Sequence, residues 1–507
     1  MQSLVTASGL TFEYANGHTI FKNLNFSITS KTSALVGPNG VGKTTLAKLL
    51  VGELEVTSGS IIKRSSVTFF PQRLTPEAFS VDEFLALDYE WSKLGEKLLE
   101  GIDRSNLCTT LSGGEWMRVR LAKTLNDDFL ILDEPSNDLD REGRKVLIEF
   151  LNARSGGVLI ISHDRELLAI CEEILELSNQ GLAKYGGDFS EYEHTKGHER
   201  DNLAQQLSTA KNQRQKAKAE RHEQILRQEK RNQRGAEQAA RGGIPKILLG
   251  ARKRKAEATT GKVDTLSFER SNSAVTAAFE AYSEMKIDPV MYADLMGQEL
   301  PAQKLIAETS GFNIRFKDWL YGEDLNFSWR GNIRLALKGL NGSGKSTLLK
   351  AIMGQKFETK GQLRVGDVST LYVDQQCRIL DDTKTVLENV ADSSLLTESE
   401  IRNGLAKFLF AKDAVFQKVS SLSGGERLRA ALAKGILSNK KPELLILDEP
   451  TNNLDLVNIQ FLESLVKEFK AAVLAISHDE IFLQNSGITE EFKIHREKFP
   501  GIPDDPH

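Results

Sequence analysis

The sequence predicts an α/β chain made by tandem duplication, two parallel-sheet domains joined by a long α-helical hairpin. Three observations carry that prediction. First, the stretch GPNGVGKTT, Gly37 to Thr45, returns as GLNGSGKST, Gly339 to Thr347, and internal repetition has to be settled before any element is assigned. Second, the apolar run Ala34-Leu35-Val36 precedes the first copy, and Leu46, Ala47, Leu49 and Leu50 follow it at helical spacing. That is the strand, glycine loop and helix order of a phosphate-binding loop. Third, from about Glu199 to Ala258 the chain is nearly free of β-branched residues and rich in Lys, Arg, Gln, Glu and Ala, a composition that favours long solvated helix.

Length and composition bound the rest. A chain of 507 residues is long enough for two or three domains, each with its own core. A net charge of −4 and a pI near 6.2 do not describe a globally basic nucleic-acid binder, so local charge has to be read separately. Cys108, Cys171 and Cys377 are scattered without a C-x-x-C pair, which predicts reduced structural thiols and neither a disulfide framework nor a thiolate metal site. The N-terminus lacks the basic start and long apolar core of a signal peptide. Apolar runs such as Val158 to Ile161 and Ala471 to Ile476 fall far short of the roughly 20 residues that span a bilayer. The expectation is a soluble, cytoplasmic chain with no transmembrane segment.

In order along the chain, Leu4 to Phe12 and Ile20 to Ile28 alternate apolar and polar residues, which predicts antiparallel strands joined by the turn Ala15-Asn16-Gly17. Tyr14, just before that turn, can stack on an adenine or serve as strand-end packing. In the loop Gly37-Pro38-Asn39-Gly40-Val41-Gly42-Lys43-Thr44-Thr45 the glycines let the backbone turn tightly, so that several N–H groups and a helix N-terminus meet a polyphosphate. Lys43 is expected to bridge the β- and γ-phosphates, and Thr44 to place its hydroxyl on Mg²⁺, a hard cation that takes oxygen ligands. The strand Val67 to Phe70 runs on through Pro71 to Gln72, whose amide can orient a water or reach the Mg²⁺. Ser112 at an N-cap, followed by Gly113, Gly114 and Glu115, makes a second anion-receptive helix start, with Met117, Val119, Leu121 and Leu125 as its apolar positions. The buried strand Phe129 to Leu132 ends in Asp133-Glu134-Pro135. Asp133 is expected to hold Mg²⁺ through water and Glu134 to polarise the water that attacks the γ-phosphate. Val158 to Ile161 then delivers Ser162-His163-Asp164, where a histidine by itself suits a structural role as well as a functional one.

The same series returns. Gly339, Leu340, Asn341, Gly342, Ser343, Gly344, Lys345, Ser346 and Thr347 are followed by Tyr372-Val373-Asp374-Gln375 and by Leu422-Ser423-Gly424-Gly425-Glu426. Leu444 to Leu447, Asp448-Glu449-Pro450, Thr451-Asn452-Asn453-Leu454-Asp455 and Ser477-His478-Asp479 complete it. The offset is 302 positions at the loop lysines and 315 at the histidines, so the second copy has gained about a dozen residues in between.

Between the copies the tract from Glu199 to Ala258 carries about nine more positive than negative charges. Gly242-Gly243-Ile244-Pro245-Lys246 breaks it, and Ile247-Leu248-Leu249-Gly250 forms an apolar tip before Arg252-Lys253-Arg254-Lys255. This predicts two antiparallel helices with a turn at Gly242 to Gly250, the first of roughly 50 residues and about 75 Å, the second running towards Met285. Lys211, Arg214, Lys216, Lys218, Arg221, Arg227, Lys230, Arg231 and Arg234 form the footprint of phosphate-backbone binding in an otherwise acidic protein. The boundaries read from these patterns are 1–195 for the first nucleotide-binding domain, 196–305 for the basic helical linker and 306–507 for the second domain.

Glycine loop, glutamine, LSGGE, ILDEP, SNDLD and SHD in this order resemble the ABC ATPase superfamily, since LSGGE is absent from other phosphate-loop enzymes. Two such cassettes in one chain, with a long basic linker, TNNLD and SNDLD loops and the closure from Tyr185 to Tyr192, resemble the ABC-F family of ribosome-associated ATPases over essentially the full chain. The family's usual TNHLD is altered in both copies. The resemblance implies two tandem ABC-type P-loop domains forming a head-to-tail sandwich within a monomer, each ATP lying between one cassette's phosphate loop and the other's LSGGE. One site would use Lys43, Thr44, Gln72, Asp133, Glu134 and His163 against Ser423, Gly424 and Gly425. The other would use Lys345, Ser346, Gln375, Asp448, Glu449 and His478 against Ser112, Gly113 and Gly114. Neither lacks an expected catalytic residue, so both are expected to hydrolyse ATP. The second base platform falls on Phe316. About 40 residues between Gln72 and Ser112, and about 30 after His478, leave no room for an extra arm or a C-terminal coiled coil. The implied partner is the ribosome, rRNA and tRNA at the tRNA exit site, met through linker 196–305, with rescue of stalled translation or displacement of an antibiotic as the outcome. The alternative is the ATPase subunit of a transporter with separate membrane chains. A DNA-repair ATPase would need longer coiled coils or zinc-binding cysteines, so DNA is not an expected partner.

Overall fold

The computed structural model describes residues 3–72, 74–76, 78–85, 93–124, 128–137, 139, 141–154, 156–240, 297–340, 342–452 and 454–494. Alternation of Val5, Ala7, Leu10 and Phe12 buries one face of the strand Ser3–Glu13, which pairs antiparallel with Thr19–Thr29 and Ser58–Lys63. The hairpin turns where the sequence places it, Gly17 N donating to Tyr14 O at 2.9 Å and Tyr14 N to His18 O at 3.0 Å. A second sheet has the order Val67–Phe70, Phe129–Asp133, Gly157–Ile161, Thr32–Val36, Glu173–Ser178, Gly181–Gly186, parallel except for the last pair. Phe129–Asp133 and Gly157–Ile161 are buried along their whole length, as near-continuous apolar strands in the middle of a parallel sheet are. The helix Lys43–Val51 sets Leu46, Ala47, Leu49 and Leu50 into the same core as Leu35, Ile131 and Leu159.

The second half repeats this plan. Leu325–Arg330, Leu305–Arg315 and Glu358–Val365 form the antiparallel sheet, and Thr370–Val373, Leu444–Asp448, Ala472–Ile476, Arg334–Lys338 and Glu490–Lys493 the parallel one. In both halves three adjacent strands therefore release the acidic pair, the histidine segment and the phosphate loop at the same carboxyl edge of the sheet, where open α/β sheets take their ligands. Leu300 belongs to the second core and Lys304 pairs with Glu443 at 2.7 Å, so the residues just before 306 are tied into that half.

Met1–Ser190 and Pro289–His507 make one compact unit and Glu191–Asp288 another. The linker helix Phe189–Ala240 has 52 residues, about 78 Å at 1.5 Å per residue. It begins ten residues ahead of the compositional shift at Glu199, because Phe189 and Tyr192 are buried and fix a first turn that charge composition does not register. Lys216, Arg227, Lys230 and Arg234 are exposed. The side chains of Lys211, Arg214, Lys218, Arg221 and Arg231 lie outside the described residues, as do the turn Gly242 to Gly250, its apolar Ile244, Ile247, Leu248 and Leu249, and the second limb towards Met285. Leu125 also lies outside them, and the helix after Ser112 is described from Gly113 to Lys123. Among the described residues no helix is long and apolar enough to cross a membrane. The three cysteines are free and buried.

Candidate functional site

Glycine is required where the first loop begins and where it enters its helix. A Cβ on Gly37 would stand 2.2 Å from Leu177 O, and one on Gly42, at φ 102°, 2.5 Å from Ile20 Cγ2 and 2.8 Å from Phe21 Cζ. The chain turns there so that Lys43 Nζ donates to Gly37 O at 2.7 Å and Pro38 O at 3.2 Å and reaches His163 Nε2 at 2.9 Å. Burial lowers Lys43, and burial together with the Lys43 charge holds His163 well below its usual range. Both effects disfavour the imidazolium, and in the neutral tautomer with a bare Nε2 that nitrogen accepts a hydrogen bond from the Lys43 ammonium.

Thr44 Oγ1 donates to Asp133 Oδ2 at 2.7 Å. Glu134 leaves the strand on left-handed backbone, φ 46°, with its N–H donating to Ile161 O at 2.7 Å, and its Oε1 lies 3.7 Å from His163 Nε2. Burial pushes the Glu134 carboxyl up to about 8, with Lys43 pulling the other way. Lys43, Thr44, Asp133, Glu134 and His163 are thus gathered at one sheet edge.

The second half gathers the equivalent residues. Lys345 Nζ donates to Gly339 O at 2.9 Å and Leu340 O at 3.0 Å, and Ser346 Oγ to Asp448 Oδ1 at 3.1 Å. Glu449 has φ 47°, its N–H donates to Ile476 O at 2.9 Å, and its Oε1 lies 3.3 Å from His478 Nε2. Burial raises its carboxyl to about 7 against the pull of Lys345. One neighbour has no counterpart: the Tyr372 hydroxyl donates to Asp448 Oδ2 at 3.1 Å, where the first half carries Phe69. Asn341 lies outside the described residues.

These donor sets fit Mg²⁺. Each pairs a hydroxyl oxygen with a carboxylate, Thr44 with Asp133 at 2.7 Å and Ser346 with Asp448 at 3.1 Å, so that a hydroxyl on the hard cation would leave the carboxylate beside it to hold a coordinated water. Such an ion would neutralise charge on the phosphates. Gln72 and Gln375 are exposed just beyond Val67–Phe70 and Thr370–Val373, each next in its sheet to the strand that bears the acids. Gln375 lines a cavity of about 310 Å³ with Gln376, Cys377, Gly424 and Arg427.

Tyr14 packs at the end of its strand. Its ring meets Phe12 edge-on at 5.0 Å and its hydroxyl bonds Thr45 Oγ1 at 2.9 Å, yet the side chain is 41% exposed beside the loop. Phe316, 302 positions on, is exposed and lies edge-on to Phe357 at 6.1 Å.

Both LSGGE serines cap their helices with a capping box. Ser112 N and Oγ donate to Glu115 at 2.9 and 2.8 Å, and Ser423 N and Oγ to Glu426 at the same distances. Gly113 and Gly114 have open space where a Cβ would stand. Gly425 does not, since a Cβ there would meet Asn458 Nδ2 at 2.1 Å. Asn458 donates its Nδ2 and N to Asp455 Oδ1 at 2.7 and 2.9 Å, and Asp455 Oδ2 accepts Asn39 N–H at 3.1 Å. A line of contact therefore runs from the LSGGE of the second half to the phosphate loop of the first. Asp455 stands in the TNNLD motif and was open to a sequence reading. Asn458 has no motif signal, because its counterpart in the first half is Gly143.

Both halves match the ABC transporter family model, over residues 21–137 and 323–452. The ATP-binding protein Uup of Buchnera aphidicola subsp. Schizaphis graminum is 30% identical over 497 residues, covering 92% of this chain and 77% of that protein. The chain belongs to the ABC-F family. Another ABC-F relative, the ribosome protection protein VmlR of Bacillus subtilis, is 28% identical over 494 residues, covering 96% of this chain and 86% of that protein. The ABC-F fold is shared with an archaeal ribosome recycling factor solved in complex with the ribosomal stalk protein aP1, at a TM-score of 0.59 and 18% identity over 96% of this chain and 88% of that one. The two halves of this ABC-F chain are ATP-binding cassettes of the ABC ATPase type.

Proposed function

We propose that the chain is a cytoplasmic, monomeric ribosome factor whose two cassettes close on two shared ATP molecules and hydrolyse them. The observation that carries the reading is the bond from Asn39 N–H in one cassette's phosphate loop to Asp455 beside the other cassette's LSGGE, since a site completed in trans ties closure of the sandwich to nucleotide. In each site the loop lysine and backbone bind the polyphosphate. Thr44 with Asp133 and Gln72, or Ser346 with Asp448 and Gln375, hold Mg²⁺. Glu134 or Glu449 polarises the attacking water, and His163 or His478 contacts the γ-phosphate. The partner is inferred from the exposed cations of the linker helix, which suit phosphate backbone, and from the relative named for ribosome protection. On this reading linker 196–305 reaches rRNA and tRNA at the tRNA exit site, and the factor modulates translation or protects it from an antibiotic.

The test is sedimentation of the Glu134→Gln, Glu449→Gln double variant through sucrose with ribosomes. It is expected to travel with them in ATP and not in ADP, and to lose that association when Lys216, Lys230 and Arg234 become Glu. Fractionation with membranes, or indifference to ribosomes in every nucleotide state, would overturn the reading.

A further inference from the structure

The cassettes meet through charges that are not two-fold related. Arg165, two residues after His163, sets Nη1 at 2.5 Å and Nη2 at 3.3 Å from the two carboxylate oxygens of Glu463 on the helix Leu456–Glu468. The side chains are 5% and 9% exposed. At the offset of 315 positions the counterparts are Glu480 and Ile148, which cannot pair, and Glu480 instead takes Lys338 of its own cassette at 2.7 Å. The asymmetry extends around the pair. Arg144, whose Nη1 forms an ion pair with Asp164 at 3.1 Å, has Ile459 as its counterpart, and Asn458, which holds Asp455, has Gly143.

The pair's position assigns it to one ATP site. Arg165 continues the segment that carries His163, and Glu463 lies two turns beyond Asp455, which caps its helix and accepts Asn39 N–H. The elements that carry both ends thus also carry residues of the Lys43 site, and Arg165 faces Asp479 beside His478 as well. A bidentate guanidinium–carboxylate pair is directional, so parting the cassettes here breaks two charge-assisted hydrogen bonds together, and removal of one partner alone leaves a desolvated charge. Burial indeed holds the Glu463 carboxyl above its ordinary range even beside Arg165. At the counterpart positions on the Lys345 side, Ile148 and Glu480, the same pair cannot form.

We propose that Arg165 and Glu463 are positioning residues that latch the Lys43 ATP site, so that this site keeps its nucleotide while the Lys345 site opens and exchanges. The inference rests on the composite-site reading given above, and the experiment separates the two.

Two single-site proteins are used, Glu449→Gln, in which only the Lys43 site hydrolyses, and Glu134→Gln, in which only the Lys345 site does. In each, release of N-methylanthraniloyl-ADP after one turnover is followed by stopped-flow fluorescence. Glu463→Gln is expected to speed release from the Lys43 site by roughly 10- to 100-fold and to leave the Lys345 site unchanged. The exchanged pair Arg165→Glu with Glu463→Arg is expected to restore slow release. Should Glu463→Gln fold poorly, Arg165→Ala with Glu463→Ala removes both charges and the contact between them without leaving either charge unpaired, and is expected to give the same fast release. Installing the pair on the other side, Ile148→Glu with Glu480→Arg, is expected to slow the Lys345 site. Equal effects on both sites, or no effect of the double alanine variant in a folded protein, would overturn the latch. Undiminished turnover of the Lys43 site in a Ser423→Arg, Glu449→Gln protein would instead overturn the composite-site reading beneath it.

Discussion

Gly425 and Gly114 occupy the same place in the two LSGGE motifs but not the same surroundings, and alanine at each should have opposite effects. At Gly114 a methyl group enters open space, so Gly114→Ala gains only the helix preference of alanine, about 1 kcal/mol. At Gly425 it would stand 2.1 Å from Asn458 Nδ2. Asn458 is buried, and to move aside it must give up the 2.7 Å bond to the Asp455 carboxylate, worth about 1.5–3 kcal/mol for a charged partner. Set against the helix gain, Gly425→Ala destabilises by about 0.5–2 kcal/mol, and the two variants end about 1.5–3 kcal/mol apart. Because Asp455 also holds Asn39 N–H, Gly425→Ala should slow the Lys43 site in a Glu449→Gln background. Urea unfolding of the nucleotide-free proteins measures the first effect and steady-state ATPase the second. If Gly425→Ala proved as stable as Gly114→Ala with unchanged turnover, the line from Gly425 through Asn458 to Asp455 would carry no force.

Glu134→Gln should melt higher than the parent, by a margin that depends on pH. The folded carboxyl titrates near 8 against an ordinary 4.5, so between those values the folded chain keeps a proton that the unfolded chain has lost, and stability falls as pH rises. The gain should be absent below pH 4.5 and complete above pH 8, and a gain that is flat with pH would exclude this account. Tyr372→Phe removes the second donor to Asp448 and makes the Lys345 site resemble the Phe69 side; a Mg²⁺ titration of ATPase in Glu134→Gln should show affinity weaker by about 0.5–1.5 kcal/mol, and no change would mean the hydroxyl is incidental. On the proposed assignment, Ser423→Arg abolishes turnover in Glu449→Gln protein, and a fragment of residues 1–195 matching the full chain per site would contradict it. The Glu134→Gln, Glu449→Gln protein should still bind ATP in equilibrium dialysis while losing hydrolysis by at least about 100-fold, and lost affinity would count against the roles given to the glutamates.

The sheets, phosphate loops, helix caps and acidic pairs were legible because each is local. Ala34-Leu35-Val36 and Phe129 to Leu132 announce buried parallel strands by unbroken apolar character, and Ser112 with Glu115 announces a helix start within four residues. What a linear reading does not contain is the pairing of residues hundreds of positions apart. Arg165 and Glu463 look like surface charges until the cassettes meet, and Asn458 matters through the glycine it presses against and the Asp455 carboxylate it holds. Even the start of the linker helix escaped composition, since two aromatic residues rather than a run of charge determine it. Repetition in the sequence encourages a symmetric expectation, and the departures from the repeat are what make the interface one-sided.

The left-handed backbone at Glu134 and Glu449 has an evolutionary consequence. Residues other than glycine hold such φ values, 46° and 47° here, at a cost on the order of 1–3 kcal/mol, and glycine would remove most of it. On the proposed roles of the two glutamates, substitution towards glycine at these positions is thermodynamically downhill and chemically silencing. Laboratory selection for heat tolerance alone would drift to robust proteins that bind nucleotide and do nothing with it, and any directed-evolution scheme on this scaffold must score turnover in the same round as survival.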